Sequence, residues 1–307
     1  MIIKKRTVPL ELLLLRSIRT RMQVFEKTKN QIITLEKGYI GEKMFDQRLE
    51  KLSLDCLIIN DLLLETANTH YQIDSFLISQ PTIHIFEVKN FEGDYLIEGN
   101  RMRLLSGKEI KNPLIQLSRS ESLFRQLLQQ HGFNLKVEAH LVFINPQFYL
   151  YGASPDLPII FPSQLGRFLN QLNSQPSKLT GQHNTLAKKL IDLHVKDSPF
   201  SLLPAYSFDG LAKGILCVGC GELEMFDSGL TTTLTCKKCG FVEDKEVAIL
   251  RSIQEFSMLF PEMKITSGII FEWCKIIRSK AVIQRALARF YQSCSSKKGT
   301  YYIKKEE

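Results

Sequence analysis

The sequence predicts an α/β protein, a mixed sheet flanked by helices, followed by a small cysteine-held module and a basic helical segment. Three observations lead there. β-prone runs are interleaved with stretches of helical periodicity across the first two-thirds of the chain, the pattern of helices packed on one sheet. Four of the seven cysteines fall into two Cys-x-x-Cys pairs with 15 residues between them. The charge is uneven: the chain carries a net +8, and from residue 245 onward 12 Lys/Arg stand against 6 Asp/Glu, a local excess of +6.

The 307 residues allow two or three domains, and 44% hydrophobic with 23% charged residues is the balance of a folded protein, not a disordered one. A basic chain suits a polyanionic partner. No apolar run approaches the roughly 18 residues of a membrane span. The apolar stretch Leu10–Leu15 is short, is followed by Arg16, Arg19 and Arg21, and lacks a small-residue cleavage site, so neither a membrane span nor a secretory leader is expected. Clustered cysteines favour a metal site in a reducing cytoplasm over a disulfide framework.

Residues 9–52 have helical spacing, with Leu12, Leu15, Ile18 and Met22 on one stripe. A second helix is expected to begin near Gly38, with Gly38 and Gly41 allowing close backbone approach, Ile40, Phe45 and Leu49 facing inward, and Glu42 at its N-terminal end. Cys56–Leu64 reads as a strand. Residues 71–90 then read as a β-hairpin about Ser79-Gln80-Pro81. Asp74, Glu87 and Lys89 interrupt its otherwise apolar strands, where charges are costly unless paired or metal-bound. Glu87 and Lys89 share a face because side chains alternate along a strand, and pairing with the neighbouring strand can bring Asp74 beside them. Such carboxylates are hard oxygen ligands for a divalent cation.

A further hairpin is expected over residues 93–105 around Gly99-Asn100, then a helix from Asn112-Pro113 to Gln130. A strand at 137–145, a short apolar run at 157–161, a helix opened by Ser163 as cap, and a helix at 184–194 follow. Pro204, Gly210 and Gly214 loosen the pattern, and a domain boundary is placed between 199 and 214.

Glu42 in Gly-Glu, Asp74 in Gln-Ile-Asp, Glu87-Val-Lys89, and Gln116 in Asn-Pro-Leu-Ile-Gln resemble, in order, the motif series of the nuclease-related domain (NERD) family, a branch of the PD-(D/E)xK nuclease superfamily. The resemblance covers roughly residues 36–150 and implies a restriction-endonuclease-like fold and a Mg2+-dependent (or Mn2+-dependent) deoxyribonuclease. It implies that Asp74, Glu87 and the Val88 carbonyl hold the metal. Lys89 would orient or deprotonate a water or stabilise the transition state, Glu42 would complete the shell, and Gln116 would position water or phosphate. The opposing reading is a buried ion network in which Lys89 merely pairs with Glu87 or Asp74. His70, His84 and His140 read as ordinary core or surface histidines. Tyr71 and Gln72 read as strand-edge residues. Arg101, Arg103 and Lys108 suit either a phosphate backbone or a solvated face.

Cys217, Cys220, Cys236 and Cys239 have the spacing of a four-thiolate Zn2+ site, closed and therefore structural, in a module resembling a zinc ribbon. Residues 245–260, 267–274 and 279–290 read as three helices and 291–303 as a hairpin, which together resemble a winged helix-turn-helix. Ser279, Lys280, Gln284 and Arg285 on the third helix, with Lys297 and Lys298 at the hairpin turn, are the candidate DNA contacts. A helical cap with a solvated basic face is the bland alternative.

The organisation expected is a helical extension at 1–35, the nuclease-like domain at 36–200, the ribbon at 211–244 and the basic domain at 245–307. The expected function is metal-dependent cleavage of DNA in the cytoplasm. The rival is a DNA-binding regulator on the same fold that does not cut.

Overall fold

The computed structural model describes residues 1–80, 82–195, 202–229, 232–296 and 299–305. The chain divides into two compact units, one of Met1–Pro9 with Ile33–Ser201, the other of Leu10–Ile32 with Leu202–Glu307.

The first unit is a mixed α/β layer structure. Its strands are β1 (Ile2–Lys4), β2 (Leu57–Thr66), β3 (Thr69–Ile78), β4 (Thr82–Lys89), β5 (Gly93–Glu98), β6 (Arg101–Leu104), β7 (Glu109–Ile110), β8 (Lys136–Phe143), β9 (Phe148–Tyr151) and β10 (Ile159–Ile160). Six of them form one sheet in the order β1-β2-β3-β4-β8-β10. β2, β3 and β4 pair antiparallel, whereas β1 joins β2, and β8 joins both β4 and β10, in parallel. The parallel β4–β8 pair needs a crossover, and α3 (Pro113–Gln130) lies within it.

Strand alternation sends the sheet's two sides to different helices. Ile59, Ile73, Ile83 and Ile85 pack with Phe124, Leu127 and Leu128 of α3 and Leu186 and Leu190 of α5 (Gly181–Asp192). Ile58, Leu77, Phe86 and Val142 pack with Phe45 and Leu49 of α2 (Glu26–Leu49) and Leu165, Leu169 and Leu172 of α4 (Pro162–Asn173). The smaller sheet β7-β6-β5-β9 carries its own core of Tyr95, Met102 and Phe148.

Several expectations are corrected. One helix runs from Glu26 to Leu49, so Glu42 lies past its middle and not at an N-terminus. Gly41 sits inside this helix because a Cβ there would come 2.5 Å from the Asn90 Cβ; the helix is pressed onto the residue that follows Lys89. Gly38 meets no such neighbour, since the nearest atom to its Cβ would be the Glu42 side chain at 4.0 Å. Ile40 is exposed while Phe45 and Leu49 are fully buried. Residues 2–4 form an edge strand, not helix, with Ile2 opposite Ile58. Helix α4 begins at Pro162, and its opening N–H, that of Phe161, donates to Gln164 Oε1 at 3.2 Å, so Ser163 is not the cap. The α3 expectation holds, with the Asn112 side chain accepting from the Leu114 N–H at 3.0 Å.

The second unit gathers α1 (Leu10–Arg21), the three-stranded antiparallel sheet β11 (Met225–Phe226), β12 (Thr233–Cys236) and β13 (Val242–Asp244), then α6 (Lys245–Leu259), α7 (Ser267–Cys274), α8 (Lys280–Phe290) and the hairpin of β14 (Tyr291–Ser296) and β15 (Gly299–Lys304). Asp244 caps α6 by accepting from the N–H groups of Glu246 and Val247. Ile249, Ile253 and Phe256 face its core, whereas Val247 is exposed. Arg21 is buried over the Trp273 ring, 3.9 Å from its centroid, and its charge is met by Glu255 at 2.7 Å. No helix among the described residues is long and apolar enough to cross a membrane.

Candidate active site and metal centre

The β3–β4 ladder runs from Ile78 opposite Ile83 to Ser75 opposite Phe86 and stops there. The next pair in register is Asp74 with Glu87. In place of a backbone partner, the Val88 N–H donates to Asp74 Oδ2 at 2.8 Å. The hairpin therefore opens where its charged residues sit, and a side chain keeps the buried amide satisfied. On β2, Asp61 lies where the register would set it opposite Asp74 and adopts a positive φ of 58°, with Gln72 donating to its carboxylate at 2.8 Å.

Glu87 and Asp74 are buried and Glu42 is half-buried. Lys89 Nζ lies 2.5 Å from Glu87 Oε1 and 3.4 Å from Gln116 Oε1, so the residue contributed by α3 reaches the strand lysine. Glu42 is held by Arg6, whose Nη1 donates to Glu42 Oε2 at 2.6 Å. The same guanidinium donates to both oxygens of Asp46, at 2.9 and 3.1 Å, and to the Asp74 carbonyl at 2.6 Å. Sequence reading missed Arg6, Asp46 and Asp61. Arg6 follows Lys4 and Lys5, and nothing in the local sequence marks it off from them. The only signal available for Asp46 was its i+4 spacing from Glu42 on one helix face.

The acids Glu42, Asp46, Asp74 and Glu87 outnumber the cations Arg6 and Lys89. Burial, with Asp74 beside each, pushes Glu42 and Glu87 up to about 8 against the opposing pull of Arg6 and Lys89. Asp74 is also raised, chiefly by burial, with Lys89 and the Val88 N–H working against the shift. Burial disfavours the Lys89 ammonium, but Glu87 and Asp74 outweigh it and keep the lysine charged. Surplus buried carboxylates of this kind call for a further cation. That is the fit of the donor set to a divalent metal: Asp74 and Glu87 offer hard oxygens, and Lys89 now occupies one of them as a stand-in charge. The carboxylates are not drawn into a tight cluster. Among the described residues, ligand atoms of three or more His, Cys, Asp or Glu within 4.8 Å of one another occur only in Cys217–Cys220–Cys236–Cys239 and in His84–Glu138–His140.

Residues 37–144 match the nuclease-related domain family. Over those residues the chain is similar to a nuclease-related domain. The match spans Glu42, Asp74, Glu87, Lys89 and Gln116, while Arg6 lies before it. No curated protein and no solved structure matches the chain.

In the second unit the four cysteines converge at the end of the β11–β13 sheet. Cys217 and Cys239 sulfurs lie 3.6 Å apart, and those of Cys220 and Cys236 lie 3.7 Å apart. Four thiolates at about 2.3 Å from one Zn2+ would be separated by roughly 3.8 Å along each tetrahedral edge, so the sulfurs stand at ligand spacing for a metal. N–H groups of Cys239 and Lys238 hold the Cys236 thiol down to about 7. Cys220 is pushed up to about 12 by burial and its sulfur neighbours, despite the opposing Glu222 N–H. Gly221 and Gly240, both at φ of +74°, turn the chain after each pair.

Helix α8 buries Ile283, Ala286 and Leu287 and exposes Lys280, Gln284 and Arg285, with Ser279 exposed at its N-cap. Lys297 and Lys298 lie outside the described residues.

Proposed function

We propose that this protein is a metal-dependent nuclease that hydrolyses phosphodiester bonds of DNA. The observation that carries the reading is the opened hairpin end, where Asp74, Glu87, Lys89 and Gln116 meet within a nuclease-related domain. Asp74 and Glu87 would hold Mg2+ or Mn2+, which when bound lowers the pKa of a water and neutralises phosphoryl oxygens. Asp74 is kept in place by the Val88 N–H, which leaves Oδ1 as its free donor. Lys89, held as an ammonium by Glu87 and Asp74, orients the attacking water and stabilises charge on the phosphate instead of acting as a base. Gln116 steadies the lysine and accepts or donates toward the water. Glu42, bound by Arg6, tunes the site electrostatically.

The zinc ribbon and the α6–α7–α8 bundle with its β14–β15 hairpin would recruit DNA, in the manner of a winged helix. Ser279, Lys280, Gln284 and Arg285 present an exposed face for that contact, and the local charge excess supports it.

One observation favours the rival reading, a DNA-binding regulator that does not cut. Ion pairs from Arg6 to Glu42 and from Lys89 to Glu87 answer two of the three motif carboxylates from within the chain. The two readings separate on purified protein incubated with Mg2+ or Mn2+ and duplex, single-stranded and branched DNA. Cleavage abolished by Asp74→Asn and Lys89→Met supports the nuclease. Binding without cleavage on every DNA supports the regulator, and cleavage that survives both substitutions removes the assigned site.

A further inference from the structure

The sheet carries a second cluster of chemically active side chains, on the face opposite Glu87 and Lys89. β4 and β8 are adjacent interior strands of the six-stranded sheet, paired in parallel with His84 opposite Glu138 and Phe86 opposite His140. Glu138 and His140 are two residues apart and so share a face of β8. His84 Nδ1 lies 3.1 Å from His140 Nε2 and 3.6 Å from Glu138 Oε2. One neutral and one anionic ligand type thus converge on a single point from a rigid ladder, which fixes their spacing before any ligand arrives.

His84 is buried, its outer nitrogen Nε2 has no partner, and Phe86 lies beside it. The atoms that converge are His84 Nδ1, His140 Nε2 and Glu138 Oε2. Two imidazole nitrogens bound to one metal at about 2.0–2.1 Å would be separated by roughly 3.3 Å in tetrahedral geometry. The observed 3.1 Å is close to that edge. Burial also lowers both imidazoles, His140 to about 4, so both are neutral at physiological pH and have lone pairs to offer. Lys136 Nζ lies 2.6 Å from Glu138 Oε1, which leaves Oε2 directed at the histidines. Glu138 and His140 are only half-buried. Phe168 packs its ring edge on His140 at 5.0 Å and also lines a cleft of about 460 Å³ with Ile160, Gln164 and Arg167.

We propose that His84, Glu138 and His140 form a binding site for a divalent transition-metal ion, distinct from both the carboxylate cluster and the four cysteines. Two imidazoles and one carboxylate select borderline cations such as Zn2+, Cu2+ or Ni2+ over Mg2+. Two of the three ligands, Glu138 and His140, are half-buried, which leaves a coordination position open to water or a small anion.

The test uses the full chain with its cysteines loaded with zinc, freed of other metal and titrated with Cu2+. Electron paramagnetic resonance is expected to show one tight Cu2+ with hyperfine coupling to two imidazole nitrogens. His140→Ala should abolish that signal. Glu138→Gln, at a half-exposed position that does not endanger folding, should keep nitrogen coupling and weaken binding about ten-fold or more. Asp74→Asn should leave the signal unchanged, which separates this site from the carboxylates. Copper binding without nitrogen coupling, binding unaffected by His140→Ala, or binding lost only with Asp74→Asn would each overturn the proposal.

Discussion

The Val88 N–H donates to Asp74 Oδ2 at 2.8 Å at the position where the β3–β4 ladder ends. One carboxylate oxygen therefore replaces a backbone partner while the other stays available to a cation. Asp74 is at once a structural acceptor and a candidate ligand. Alanine and asparagine should separate the two roles. Asp74→Ala strands a buried amide, with an expected loss of about 1–3 kcal/mol. Asp74→Asn keeps an acceptor and removes the charge, so it should stay within about 1 kcal/mol of the parent in urea unfolding while losing Mn2+ binding and any cleavage. Equal destabilisation by both substitutions would show that the hydrogen bond carries no weight.

The surplus of acids at the same place sets a pH dependence. Glu42 and Glu87 ordinarily titrate near 4.5 and are pushed up to about 8 by burial beside Asp74. The native state thus holds protons that the unfolded chain has released, and the metal-free protein should lose stability as pH rises from about 4.5 to about 8. A divalent cation competes with those protons. Its affinity should climb through the same window and level off above it, with protons released on binding. Calorimetry of Mn2+ binding in two buffers of different ionisation enthalpy measures that release directly. A pH-independent affinity between 6 and about 8.5 would mean that the carboxylates are already ionised.

Much of the first unit was legible because its strands obey simple patterning. Asp74, Glu87 and Lys89 stood out as charges within apolar period-2 runs, and Asn112-Pro113 announced α3 through cap chemistry. The cysteines declared themselves by spacing. What stayed hidden depends on contacts between residues remote in sequence. Arg6 reaches Glu42 and Asp46 across at least 36 positions, and nothing local marks it as different from Lys5. The close approach expected at Gly38 and Gly41 is real only at Gly41, against Asn90, and nothing local in the sequence places the start of α2 at Glu26. His84 and His140 were passed over because their pairing exists only once β4 and β8 lie side by side.

Arg6 is itself a test of how the acids are held. Its side chain is 3% exposed and pairs with Glu42 at 2.6 Å and with Asp46 at 2.9 Å. Burial works against its charge, but Asp46 and Glu42 raise its affinity for the proton. Arg6→Met leaves the buried Asp46 and the half-buried Glu42 without their cation, and a loss of about 3–5 kcal/mol is expected. Adding Glu42→Gln should recover part of that loss, since one stranded charge is removed. Arg6→Lys should not restore stability fully, because a single ammonium cannot serve Glu42, both oxygens of Asp46 and the Asp74 carbonyl at once. Denaturant unfolding of the three variants and their double-mutant cycle measures the coupling. Strict additivity of Arg6→Met and Glu42→Gln would break the assigned network.

The four cysteines give the last prediction. Without a metal, Cys236 is held down to about 7 while Cys220 is pushed up to about 12, so the empty site is not a set of four thiolates. Zinc must displace protons, and its affinity should fall steeply as pH drops. Met225, Leu234, Cys217 and Cys236 belong to the second unit's buried core, so a metal bound by the cysteines would support the ribbon's fold. A strong chelator should release one zinc per chain. Hydrogen exchange should then speed up across β11, β12 and β13, with the first unit's sheet keeping its protection. Cys236→Ser should reproduce the effect without chelator. Zinc released with no change in exchange over those strands would mean that the sheet holds without the metal, and would make the cluster a binding site rather than a structural staple.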